Sequence, residues 1–146
     1  MPTTTIAEST ANIRQAVPFF WVHDLEASMR FYVDGLGFQV TQHWISDGKL
    51  RWCWLELGGA ALMLQEFWRE GHHRNLPETA VGVGVSLAFI CADALAIYRS
   101  LIGRGIEATR PTVSNRMWVT NVIDPDGYRL LFESPTELAE GTVSPN

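Results

Sequence analysis

The chain is written twice. Asp24 stands just before the helical run LEASMRFYVDGLG, and Asp93 stands just before ALAIYRSLIGRG, 69 residues later. Gly59 and Gly127, each opening the last strand of its half, lie 68 residues apart. A repeat of this length occurring only twice points to two packed modules and away from a solenoid, which needs more copies to bury a core.

Within each copy the order of elements is the same. Residues 16–24 (AVPFFWVHD) are apolar and aromatic and read as a strand, with Asp24 as the helix cap and Gly35 or Gly37 as the stop. FQVTQHWIS alternates as a strand, DGK is a hairpin signal, and LRWCWLEL and AALMLQEF are further strands separated by a Gly-Gly turn. In the second copy GVSLAFICA, IEATRPTV (interrupted by Pro111), RMWVTNVI and YRLLFE are the strands, with DPDG as the last turn. The expected class is α+β: two βαβββ modules forming a curved mixed sheet that encloses a cavity, with the helices outside. The divisions are a tail over 1–13, modules over 14–66 and 83–136, a polar connector over 67–82, and a tail over 137–146.

Charge and cysteine content narrow the partners. A net charge of −5 argues against nucleic acid and favours neutral or cationic ligands. Cys53 and Cys91 form no CxxC or metal-knuckle spacing and read as buried free thiols of a reducing compartment. No membrane-length apolar run or leader-like segment is visible, so a cytoplasmic location is expected.

VHDLEASMRFYVDGLGF and DPDGYRLLFE resemble the signature stretches of the vicinal oxygen chelate superfamily, which includes glyoxalases, bleomycin resistance proteins and extradiol dioxygenases; the resemblance covers residues 15–136. It implies the paired-module fold but not an activity, because one scaffold hosts several chemistries. It also implies metal-ligand positions on the first and last strands of each module. Carried over, these fall on Val17, Met63, Ser86 and Leu131, none of which offers the imidazole nitrogen or carboxylate oxygen that a catalytic divalent ion selects. No metal and no other cofactor is therefore expected.

Other residues could still carry a site. Glu133 and Gln65 occupy equivalent places, each two residues beyond a lost ligand on the same strand face. Glu133 is the candidate acceptor or general base, with Gln65 orienting a ligand; the alternative for both is a solvated or salt-bridged strand end. A displaced metal site could draw on Glu66, His72 or His73, while His23 reads as a surface or capping residue and His43 lies on the second strand. Six tryptophans are more than a small core needs. Phe19, Trp21, Trp52, Trp54 and Trp118 are therefore expected to line the pocket with Met63, Gln65, Ser86, Leu131 and Glu133. Neither Ser86 nor either cysteine sits in a nucleophile motif, and GVGVS has the wrong glycine spacing for a phosphate loop.

Together these readings favour a metal-free protein that sequesters a hydrophobic or aromatic, potentially cationic, small molecule. It would act as a homodimer in the manner of the bleomycin resistance proteins, with antibiotic resistance as the implied role. The alternatives are a metal-dependent lyase, isomerase or extradiol-type dioxygenase with displaced ligands, and a cofactor-free enzyme using Glu133.

Overall fold

The computed structural model describes residues 11–68, 70 and 80–145. The first module contains β1 (Phe19–Val22), α1 (Leu25–Met29), β2 (Gln39–Ser46), β3 (Lys49–Leu57) and β4 (Ala60–Glu66). The second contains β5 (Ser86–Ile90), α2 (Ala94–Gly103), β6 (Thr109–Ser114), β7 (Met117–Ile123) and β8 (Arg129–Pro135). The expected βαβββ order is present in both. The strands form two four-stranded mixed sheets, ordered β1-β4-β3-β2 and β5-β8-β7-β6, rather than one continuous sheet around a closed cavity. No described helix is long and apolar enough to cross a membrane.

The repeat is explained by matching local chemistry. The Asp24 carboxylate accepts from the Ala27 amide at 3.2 Å, and that of Asp93 from the Ala96 amide at 3.0 Å, so each helix starts on an aspartate cap. The last strand of each module adds a second cap. Glu66 Oε2 accepts from the Leu25 amide and Ser134 Oγ from the Ala94 amide, both at 2.9 Å. Asp47 and Gly48 both take positive φ, the backbone of a tight type I′ hairpin, as DGK predicts. Asn115 and Arg116 do the same between β6 and β7, without a glycine to announce it.

Four boundaries depart from the sequence reading. The first strand is four residues long, because Ala16, Val17 and Pro18 precede it as irregular chain. The first helix widens into a π-helical turn over Arg30–Gly35. There Gly35 lies so close to Ile106 that an added Cβ would sit 2.5 Å from its methyl group, and Arg104 donates to the Gly35 carbonyl at 2.7 Å. The second strand of the second module begins only at Thr109, with a register break before Thr112. The chain end is not a free tail. Val113 donates to Thr142 and Ser144 donates to Pro111, so residues 141–144 lie along the outer edge of β6.

One core serves both modules. The helix-facing sides of the sheets supply Phe20, Leu55, Leu62, Leu64, Leu130 and Phe132 to a single buried cluster with Tyr32 and Phe38. Phe20 stacks on Tyr128 at 3.8 Å across the seam, and Tyr32 donates to Asp124 at 2.7 Å. The opposite faces are left over, and the candidate site lies there.

Candidate functional site

Ladder register shows which side chains share a face. Trp21 and Trp52 both pair with Gln65, and Phe19 and Trp54 both pair with Met63. Six expected site residues therefore meet on the helix-free side of the first sheet. Trp44, opposite Trp52 on β2, joins them and is 43% exposed. Phe67 stacks on Trp21 at 5.9 Å, and Trp68 meets Trp44 edge to face at 6.3 Å. Sequence reasoning did not assign Trp44, Phe67 and Trp68 to the pocket; the even spacing of Trp44 and Gln42 along β2 was the available signal for the first. The Trp54 indole donates to Glu56 at 3.2 Å, which fixes its ring plane.

The second sheet presents something different. Ser86, Leu131 and Glu133 share its helix-free face, as expected, with Leu131 opposite Ala88 and Asn121, and Glu133 opposite Ile90 and Val119. Asn121 Oδ1 is buried there with no hydrogen-bond partner among the described residues. Trp118 is a correction. It pairs with Ser134, so it projects from the helix-side face, away from Glu133. Its strand belongs to the second sheet and does not neighbour β3.

The titratable groups offer little nucleophilic or metal-binding chemistry. Burial pushes the Cys53 thiol up to about 11 and also raises that of Cys91, which keeps both protonated at neutral pH. Glu66, held in reserve above as a displaced ligand, is buried on the helix side, ion-paired with Lys49 and bonded to the Leu25 amide. His72 and His73 lie outside the described residues. Among the described residues no three His, Cys, Asp or Glu side chains gather into a metal-binding group. The positions where relatives would hold a divalent ion carry Val17, Met63, Ser86 and Leu131, a donor set without nitrogen or carboxylate, and it does not fit such an ion.

Among the described residues a further cleft lies elsewhere. A cleft of about 1000 Å³ runs between Gln15–Pro18, the hairpin over 57–61 and strand β5, with Ile97 and Phe132 behind. None of the ten expected ligand-binding residues lines it; Val17 does.

This arrangement of two βαβββ units is that of a paired-module scaffold with an open, helix-free face on each sheet. The chain belongs to the Glyoxalase/Bleomycin resistance protein/Dioxygenase superfamily, whose model matches residues 13–132. Among solved structures it is similar to SMU.1112c (TM-score 0.68, 21% identity, 84% of this chain and 99% of that one). It is also similar to a glyoxalase/bleomycin resistance protein/dioxygenase from Nocardioides (TM-score 0.64, 23% identity, 92% and 93% covered). A third is TnmS3, described as an antibiotic binding protein from Streptomyces sp. CB03234 (TM-score 0.63, 23% identity, 84% and 98% covered). At these identities the likeness is one of fold. No curated protein matches the chain.

Proposed function

We propose that the chain binds a small hydrophobic or aromatic molecule, neutral or cationic, on the ring-bearing face of its first sheet, without a divalent metal. The observation that carries this reading is the convergence of Phe19, Trp21, Trp52 and Trp54 around Met63 and Gln65. Flat rings on a rigid sheet gain affinity from buried apolar area at little entropic cost, and Gln65 at their centre supplies one orienting polar group. The net charge of −5 and the π-faces of the indoles both favour a cation over an anion.

Support from relatives is at fold level: TnmS3 binds an antibiotic by its description, and a sequestering role of that kind is the function proposed here. The proposal includes a homodimer whose copies jointly cover the open faces; the exposure of Trp44 at 43% and Ile123 at 51% supports it. It also includes a reducing, cytoplasmic setting, in keeping with two free cysteines.

The test is a quenching screen of tryptophan fluorescence with planar apolar and cationic aromatic compounds, beside metal analysis of protein purified without chelator. Saturable quenching that is lost in Trp52→Ala and Trp54→Ala supports the reading. A stoichiometric transition metal, or no quenching by any compound class, overturns it.

A further inference from the structure

Sheet edges expose unpaired backbone groups, and proteins usually guard them. Three of the four outer edges here are guarded. On β2 the register breaks twice, between Val40 and Gln42 and between Trp44 and Ile45, which disrupts a flat template. On β6 the segment over 141–144 supplies the missing ladder, with Val113 donating to Thr142 at 2.8 Å and Ser144 to Pro111 at 2.9 Å. On β1 the Trp21 carbonyl accepts from the Tyr128 hydroxyl at 2.9 Å, and the His23 amide donates to Asp126 at 3.0 Å.

The outer edge of β5 differs. Arg129 donates to the Val85 carbonyl and Cys91 donates to the Glu133 carbonyl, so the odd-numbered residues of this strand turn their backbone groups toward β8. In a parallel ladder the alternate residues then turn theirs outward. Those are Ser86, Ala88 and Ile90, and among the described residues no partner meets their amides or carbonyls. This open edge carries no proline, no charge and no register break. It faces the cleft of about 1000 Å³, whose lining holds no Asp, Glu, Lys, Arg or His side chain.

We infer that this cleft receives a short, extended, uncharged peptide segment that adds to β5 as a further strand, exchanging hydrogen bonds with Ala88 and Ile90. The backbone groups of Ala88 and Ile90 recur at roughly 7 Å along the strand, the two-residue repeat of an extended chain. An acyl chain or a sterol would fill the volume but leave those groups desolvated and unpaired. A peptide satisfies both, with alternate apolar side chains against the walls. The far wall is formed by Gln15–Pro18 and the hairpin over 57–61, which add Val17 and Ala61 to the apolar lining. The uncharged lining disfavours acidic or basic segments.

The experiment uses the full chain and a capped pentapeptide of alternating alanine and valine, followed by amide NMR. Binding should slow hydrogen exchange at the Ala88 and Ile90 amides. Ala88→Pro removes one outward donor without touching the β5–β8 ladder and should weaken binding roughly tenfold. The same peptide N-methylated at its central amide should lose affinity to a similar degree for the unaltered protein, a measurement that stands even if the proline variant fails to fold. Quenching of the indoles by an aromatic ligand should survive Ala88→Pro, which separates this site from the ring-bearing face. Unchanged affinity in both comparisons overturns the proposal. So does protection of the Ala88 and Ile90 amides in peptide-free protein that rises with protein concentration, since the edge would then belong to a second copy.

Discussion

Gln65 and Glu133 occupy the same place in their modules and have opposite surroundings. Gln65 is flanked by Trp21 and Trp52, whereas Glu133 is flanked by Ile90 and Val119. One pair further along, Met63 lies between Phe19 and Trp54, and its counterpart Leu131 lies between Ala88 and Asn121. Four ring positions in the first module are thus small, aliphatic or amide side chains in the second. The helix-facing positions diverge far less: the equivalent residues Leu62 and Leu130 are both fully buried. Packing preserves the plan of the repeat on one face, while the other face, free of helices, is where the modules differ in chemistry.

The largest effects should fall on the shared face and be nearly equal in the two modules. Leu62→Ala and Leu130→Ala should each cost about 2–5 kcal/mol in denaturant unfolding. If one were silent, the single-core description would fail. The helix caps should separate the modules next. Glu66→Ala removes a buried carboxylate paired with Lys49, for a loss of about 3 kcal/mol. Its counterpart Ser134→Ala removes a neutral cap worth about 1 kcal/mol.

Ligand affinity should then distinguish the helix-free faces. Trp52→Ala should weaken binding of a quenching ligand by about 10–100-fold, the loss of one buried aromatic contact. Val119→Ala, at the matching position of the second module, should leave the titration unchanged. A Val119→Ala loss as large as that of Trp52→Ala would move the site to the second sheet. The smallest effect is electrostatic and lies at the seam. Burial raises the Asp124 carboxyl above its ordinary value despite the opposing hydrogen bond from Tyr32. Its folded value exceeds its unfolded one, so its contribution to stability is fully present below about pH 4 and is lost as pH rises through the folded value. Thermal unfolding above pH 4 should show this decline, and Asp124→Asn should remove that part of the pH dependence.

Much of the fold was legible because its signals are local. Asp24 and Asp93 declare their helices by side-chain chemistry, and Asp47-Gly48 declares a hairpin. The face of Trp118 was not legible. The Asn115–Arg116 turn takes positive φ without glycine, and strand parity counted from a misplaced turn inverts every side chain beyond it. At the widened end of α1, Ile106 approaches Gly35 closely, a contact between modules that no window of sequence contains. Phe19, Trp21, Trp52, Trp54 and Gln65 around Met63 followed from simple alternation along β1, β3 and β4, whereas Trp44, Phe67 and Trp68 did not. The cleft beside β5 did not, because its walls come from three stretches far apart in the chain.

The strap of residues 141–144 along β6 has a practical corollary. Shortening the chain after Glu140 would bare the amide of Val113 and the carbonyl of Pro111 on a strand that needs a neighbour, and such a truncate should self-associate into sheet-rich aggregates. An affinity tag is better carried at the other terminus.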